Sequence, residues 1–346
     1  MVIFTKLCFC AQKSNYSGNC RRWGIDYFML NFQKITESDF AKLDAYYKEY
    51  APYIYTGTHR ICDYAPGTVK MWHRAYDMEY AVWEDNLYLS AAFAEDASRS
   101  YLYPLGPKEQ IALRRLREHI EEMGRGRLSV IPSERTDQVL ECFQKGNFAQ
   151  GGLHADRDWA DYIYDKKDFE NPAGRKHHRQ KNLINRFIRE NPEYCCEAVD
   201  EKNAPEVVRY FQKYALENSA TSSIDGPEFA AVCRVLRAWD IYGMCGVILR
   251  TAGEICGFTM GEVYKDTVFV HVEKADKKRD GAFQVLSRDF QRSVDGALFV
   301  NREEDLGLEG LRRSKLSYGP IRLDYKYTME ISYVKKTDIP REFTIF

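Results

Sequence analysis

Three stretches of this chain carry side chains at odds with the elements they sit on, and each could do chemistry. The first is "NPAGRKHHRQKNLINRFIRE", residues 171–190. At 100° per residue, Leu183, Ile184, Phe187 and Ile188 gather on one helical face. Lys176, His177 and Gln180 fall in that same sector one to two turns earlier, with Lys181 next to them. A buried ammonium without a partner costs several kcal/mol, so Lys176 needs a carboxylate or a wet cavity. Either the helix starts later, near His178, and these residues are loop, or its end lines a pocket for an anionic group. Arg175, Arg179, Asn182, Arg186 and Arg189 form a cationic stripe on the opposite face. Such a stripe is a solvated surface or a contact for an anionic partner.

The second stretch is "NREEDLGLEGLRRSKLSYGP", residues 301–320. The helical face of Leu308 and Leu311 also holds Arg312 and Lys315. Lysine can snorkel from an apolar face, or Lys315 reaches a carboxylate or a substrate phosphate. Asn301, Glu303, Glu304 and Asp305 precede it at a strand end, where side chains commonly meet ligands. The third stretch is the strand "TVFVHVEKAD". Strict alternation puts Val268, Val270 and Val272 on one face and Phe269, His271 and Glu273 on the other. Glu273 then faces solvent or a pocket.

Several functional classes are excluded or disfavoured. With 50 basic and 51 acidic side chains the net charge is -1, so no basic coat covers the whole molecule. The ten cysteines include no CxxC and no Cys/His pair at ligand spacing, so no metal site is expected and the thiols are read as free, in a reducing compartment. Neither a G-x-S-x-G elbow nor a paired Cys and His occurs, so no covalent intermediate is expected. No apolar run approaches the roughly 20 residues of a spanning helix. The start "MVIFTKLCFC" is too short and too broken by Lys6 for a signal peptide, which makes a cytoplasmic location the expectation.

The elements that must position these residues fall into two sets. A chain of 346 residues suggests two domains. Residues 1–28 look unlike the rest and are expected to be a disordered leader or the product of an upstream start codon; 29–155 and 156–346 are the expected domains. In the first, a hairpin is predicted at about 78–93, a strand in "SYLYPLGP", a helix closed by Gly124, a strand in "RLSVIPS" and a helix near 134–144. In the second, a short strand at 162–164 leads to helices near 173–190, 204–217 and 226–240. Strands follow at about 244–251, 254–264 and 267–274, then a helix from Gly281 to Arg292, a strand at 297–301, a helix at 307–317 and a strand at 321–330. The class is α+β with mixed α/β character: two similar units in tandem, each on an antiparallel-rich sheet.

"DYIY" (161–164), "GRKHHRQKN" (174–182), "VHVEKAD" (270–276) with "GAFQV" (281–285), and "NREEDLGLEGLRRSKLSYGP" followed by "DYKYT" (324–328) together resemble the C-terminal domain of phosphatidylglycerol lysyltransferases. The resemblance extends over roughly 29–328. It implies two tandem acetyltransferase-like (GNAT-like) domains, each a mostly antiparallel mixed sheet flanked by helices, the first a degenerate partner. It also implies kinship with Fem-type aminoacyl transferases, whose donor is aminoacyl-tRNA and which carry a lysine where Lys315 stands. Ser314 replaces the phenylalanine usual before that lysine. No stretch of these residues reads like the membrane-spanning half of the lipid enzymes, so a lipid acceptor is not the expectation.

The function implied is acyl transfer, with an aminoacyl group passing from aminoacyl-tRNA to an amine or hydroxyl. Lys315 and Lys176 are then expected to stabilise an anion or oxyanion, and Glu273 and Asp305 to orient or deprotonate the acceptor. Asn301, His177, Gln180, Lys181, His271, Glu304, Arg312 and Tyr318 are expected to bind substrate, and the basic helix 175–189 to meet tRNA. Acetyl-CoA is a weaker donor candidate: "KKRDGAFQV" keeps Lys278, Arg279 and Gly281 of a pyrophosphate loop, but Phe283 stands where a second small residue belongs. An acetyl-CoA-dependent N-acetyltransferase and a non-catalytic module binding an amino acid or nucleotide-like ligand are the alternatives. Contact with a membrane surface stays open. The expectation that ties the site together is that Lys176, Glu273, Asn301 and Lys315 face a single cavity.

Overall fold

The computed structural model describes residues 29–54, 58–92, 99–144, 148–150, 152–218 and 222–333; the leader expected at 1–28 lies outside them. The first sheet takes β1 (Gln33–Lys34), β2 (Glu79–Trp83), β3 (Asn86–Ala91), β4 (Ser100–Leu102), β5 (Arg125–Pro132), β6 (Phe148–Gln150) and β7 (His154–Ala155). The second takes β8 (Asp161–Asp165), β9 (Cys195–Ala198), β10 (Cys245–Thr251), β11 (Glu254–Tyr264), β12 (Thr267–Ala275), β13 (Phe299–Asn301) and β14 (Arg322–Asp324). A last strand, β15 (Lys326–Tyr333), returns to the first sheet between β5 and β6. Each sheet is antiparallel except for one parallel pair, β4 with β5 and β12 with β13.

The helices are α1 (Phe40–Glu49), α2 (Pro66–Trp72), α3 (Glu109–Met123), α4 (Thr136–Gln144), α5 (Lys166–Glu170), α6 (His178–Glu190), α7 (Ala204–Glu217), α8 (Pro227–Arg237), α9 (Trp239–Tyr242), α10 (Ala282–Arg292) and α11 (Glu309–Ser317). Local chemistry sets their ends. Proline in the first turn opens α2, α7 and α8, and Gly124, left-handed at φ 78°, closes α3. Among the described residues no helix is long and apolar enough to cross a membrane.

Two corrections bear on the site. The strand expected at 321–330 is two strands in two sheets: β14 pairs β8 in the second, and β15 pairs β5 in the first. The chain changes sheet at Tyr325, so the terminal segment of the expected second domain completes the sheet of the first. The switch is clamped by ions from both units. Asp324 accepts from Arg60 N at 2.5 Å, while Lys326 reaches Asp63 and Asp161.

Strict alternation along β12 also fails. Met260 pairs Val272 but Gly261 pairs Val270, so His271 is the extra residue of a β-bulge. Downstream side chains therefore change face. Val268 and Val270 join the core beneath α5, α6 and α10, whereas Phe269 and Val272 join the core shared with the first unit. Glycine is required opposite the bulge, because a Cβ on Gly261 would collide with the Phe269 carbonyl oxygen. The second sheet is thus buried on both faces. The larger core runs from the first sheet across α7 and α8 to the inner faces of β10–β12.

Candidate active site at the seam of the two units

β13 ends at Asn301, and the loop that follows wraps around one ammonium. Lys315 Nζ donates to the carbonyls of Arg302 (2.5 Å), Glu303 (3.2 Å) and Glu304 (2.5 Å). To present these oxygens the loop adopts left-handed backbone at Glu303 (φ 55°), Leu306 (φ 53°) and Gly307 (φ 71°), a conformation that costs energy outside glycine. Burial, then Arg302, lowers the Lys315 pKa to about 8, against Glu304, Glu303 and Asp161. All three ammonium hydrogens are directed at backbone oxygens, so Lys315 shapes the loop and has no hydrogen left for the oxyanion contact expected of it.

Asn301 is fully buried. Its amide donates to Arg60 O (2.5 Å) and Asp161 Oδ2 (2.9 Å), and its oxygen accepts from Glu303 N (2.6 Å). Asp305 accepts from Tyr162 Oη (2.5 Å), Arg157 (3.1 Å), Arg312 (2.8 and 2.9 Å) and Gly307 N (3.0 Å). Burial opposes ionisation, yet Arg312, Tyr162 and the Gly307 N–H hold this carboxyl well below the usual range. A carboxylate so committed cannot deprotonate an acceptor, and Arg312, also bound to Asp158, is an anchor for it.

His271, turned by the bulge, joins the two units. Its Nδ1 lies 2.8 Å from Glu303 Oε1 and its Nε2 3.1 Å from Glu262 Oε1. Glu262 in turn accepts the N–H groups of Gly67 (2.7 Å) and Thr68 (3.0 Å) at the start of α2. Burial disfavours an imidazolium, but hydrogen bonds to Glu262 and Glu303 overcome it and raise the His271 pKa to about 10. Burial pushes the Glu303 carboxyl upward, against His271 and Lys315.

Next to it lies a second ionic knot. Lys326 Nζ contacts Asp63 (2.6 Å), Asp161 (2.9 Å), Glu304 (3.0 Å) and Cys62 Sγ (3.4 Å). Burial raises Asp161 to about 7 even with Lys326 beside it. Cys62, Asp63 and Asp161 lie close enough to share a metal ion, but the ammonium of Lys326 already takes the cation's place among them. Solvent reaches the seam through the side chains of Asp63, Glu303 and Glu304, which are 22%, 18% and 16% exposed.

The single cavity expected for Lys176, Glu273, Asn301 and Lys315 is not what the structure brings together. Asn301, Lys315, His271 and Glu304 meet at the seam. Glu273 instead pairs with Arg302 at 2.7 Å, where β12 and β13 diverge beyond their short parallel register. Arg302 lies over the ring of Tyr318 (4.7 Å), which stacks on Phe169. Lys176 is exposed because the α-helix starts only at His178; it sits in a 3-10 turn beside Gly319 and pairs with Asp168 at 3.5 Å. His177 meets the same carboxylate at 3.2 Å, and Gln180 donates to Ser317 O. Lys181 is exposed.

The degenerate CoA loop has other work. Lys278 is solvent-exposed, Arg279 binds Asp276 and Asn191, and Gly281 (φ 89°) lets α10 approach α6, since a Cβ there would strike the Leu183 carbonyl oxygen.

The family model described as "Phosphatidylglycerol lysyltransferase, C-terminal" matches residues 57–330. The chain belongs to this family. Among solved structures, a conserved protein of unknown function from Bacteroides thetaiotaomicron is 30% identical with a TM-score of 0.77, over 88% of this chain and 100% of that one. The C-terminal domain of a putative lysylphosphatidylglycerol synthetase from Agrobacterium fabrum is 14% identical, with a TM-score of 0.59 over 85% and 92% of the two chains. FemX is 9% identical, with a TM-score of 0.55 over 89% and 98%. The last two likenesses speak for the fold alone: two GNAT-like units in tandem. No curated protein matches the sequence.

Within this lysyltransferase-domain family member, sequence reasoning passed over Arg60, Cys62, Asp63, Asp161, Glu262 and Lys326. They come from both units. The pattern that could have found them is polar residues alternating with tyrosines in "DYIYD" and "DYKYT", where Asp161, Asp324 and Lys326 stand on strands and are buried.

Proposed function

We propose that this protein transfers an aminoacyl group from an aminoacyl ester, with aminoacyl-tRNA as donor, to an amine or hydroxyl acceptor at the seam between its two units. The observation that carries the reading is the loop 302–305 drawn around Lys315, which puts partly exposed carboxylates next to a buried cation and a buried imidazole. Membership of the lysyltransferase-domain family supports it. The chemistry is direct attack by the acceptor on the ester carbonyl. The loop positions the reacting groups beside its partly exposed carboxylates.

The exposed part of the cationic stripe, Arg175, Arg179 and Arg189, supports a phosphate backbone contact along α6; Arg186 is engaged by Glu190 and Asp280. Acetyl-CoA is disfavoured because α6 approaches the start of α10 at Gly281, and the Ala282 N–H is already spent on Arg279 O at 3.1 Å.

The test offers purified protein charged tRNAs or acetyl-CoA, each with a panel of amines and amino acids, and follows loss of donor. Consumption of aminoacyl-tRNA with formation of an acceptor amide or ester is expected. Consumption of acetyl-CoA alone would make the protein an N-acetyltransferase. Consumption of neither by folded protein would leave a ligand-binding module.

A further inference from the structure

We propose that Glu303 is the proton acceptor of the transfer step, and that His271, tethered through Glu262 to the first unit, is the residue that positions it. This rests on the transferase reading above and assigns the base that the reading needs.

Elimination among the carboxylates leads there. Asp305 is saturated by two arginines, a tyrosine and a backbone N–H. Glu273 is committed to Arg302, and Asp63, Asp161 and Glu304 surround Lys326. Glu303 differs from all of them in that the basic group hydrogen-bonded to it is an imidazole, not an ammonium or guanidinium; Glu273 also keeps one oxygen unpaired, but that oxygen is buried. Glu303 Oε1 is held by His271, its Oε2 makes no hydrogen bond among the described residues, and the side chain keeps 18% exposure. One oxygen is oriented and the other is free for a substrate.

Three features of the backbone serve that arrangement. The bulge in β12 exists at His271 and turns the ring toward Glu262 and Glu303; bulges recur where a side chain must be re-aimed. Glu303 itself stands in left-handed backbone, a strained state typical of functional sites. Lys315 holds that conformation by gripping the carbonyls on either side. Behind His271, Glu262 is fixed by two N–H groups of α2, so the orientation of Glu303 depends on the docking of the two units.

The charged groups facing Glu303 are His271 from β12, Lys315 from α11 and Glu304 in its own loop. Glu262 from β11 lies behind His271. Tyr76, after α2, and Asp63 share the same electrostatic neighbourhood. Burial and Glu304 raise the carboxyl while His271 and Lys315 oppose that rise, which moves it toward the range of an effective base. In the step itself the acceptor N–H or O–H attacks the ester carbonyl carbon. The new C–N or C–O bond forms, the acceptor proton passes to Glu303 Oε2, the ester C–O bond breaks, and the departing sugar oxygen takes that proton.

The experiment is single-turnover transfer from aminoacyl-tRNA across pH 5–9 for the wild type, Glu303→Gln and His271→Gln, with folding checked by circular dichroism. Glu303→Gln is expected to lose about 100-fold or more in kcat, with acceptor KM near the wild-type value, and to lose the acidic limb of the pH profile. His271→Gln removes a cation beside the base, so its acidic limb should move to higher pH. A Glu303→Gln variant that keeps wild-type kcat, or a His271→Gln profile that does not move, overturns the proposal. If His271→Gln does not fold, Glu303→Gln with partial rescue by Glu303→Asp decides alone. Wild-type protein that transfers nothing overturns the transferase reading as well, and the two failures are thereby distinguished.

Discussion

Replacing Lys315 with methionine separates a loop-shaping lysine from a substrate-contacting one. The substitution keeps the length of the side chain and removes its ammonium. Two 2.5 Å bonds, to the carbonyls of Arg302 and Glu304, are lost, each worth about 2–3 kcal/mol when the donor is charged. The third carbonyl, of Glu303, keeps the N–H of Tyr162 at 3.3 Å. Against this, burial lowers the lysine pKa from 10.5 to about 8, about 3 kcal/mol of cost for carrying the charge at neutral pH. The net loss of stability is about 2 kcal/mol, several degrees in Tm for a chain of this size. Because the folded pKa lies below the unfolded one, wild-type stability relative to the variant should grow as pH climbs from about 8 to 10.5. The assays are calorimetry and hydrogen exchange of the 302–306 amides, which should accelerate as the strained loop relaxes. A variant with unchanged Tm and unchanged exchange, but without transfer, would refute the reasoning and return Lys315 to direct contact with the substrate.

Three further outcomes are expected. His271 has a folded pKa of about 10 against 6.5 unfolded, so its stabilisation is complete below about pH 6.5 and lost as pH rises through 10; the stability gap between wild type and His271→Gln in urea should shrink between those values, and a constant gap would contradict it. Lys326→Met leaves the buried Asp161 and the partly exposed Asp63 and Glu304 without their shared cation and should cost about 3 kcal/mol by chemical denaturation, whereas a loss below about 1 kcal/mol would show that the knot is freely hydrated. Gly281→Ala should destabilise by more than about 1 kcal/mol, since φ is 89° and the new Cβ meets the Leu183 carbonyl; an unchanged Tm would mean that α6 and α10 separate at no cost.

What could be read from the sequence follows the range of the forces involved. α10, opened by Gly281, and β11 at 254–264 were legible, because the signals for both lie within a dozen residues. The bulge at His271 was not: nothing in "VFVHVEK" interrupts alternation, and the register shift is set by Gly261 on the neighbouring strand. The sheet switch at Tyr325 was hidden for a similar reason. "IRLDYKYTMEI" reads as one strand, and the contacts at the switch come from far along the chain: Asp324 takes the backbone N–H of Arg60, and Lys326 pairs with Asp63 and Asp161. Lys315 stands out in the sequence as a lysine among leucines, but Leu308, Leu311 and Leu316 are exposed while the lysine is buried, and its partners are backbone carbonyls, which no side-chain pattern announces. Of the two readings left open for Lys176, the later helix start near His178 is the one observed, and the 3-10 turn at 175–177 puts the lysine in water. The seam escaped because Asp63, Asp161 and Lys326 are brought together by tertiary structure alone, one of them from a unit expected to be a degenerate partner.

The central claim is that an aminoacyl ester binds where the two units meet, and not on the relict CoA loop. Hydrogen–deuterium exchange with a non-hydrolysable aminoacyl-adenosine amide tests it most directly. The account predicts protection of both 60–76 and 301–306, segments from different units, with little change at 277–285. Protection confined to 277–285, reproduced by CoA, would contradict it.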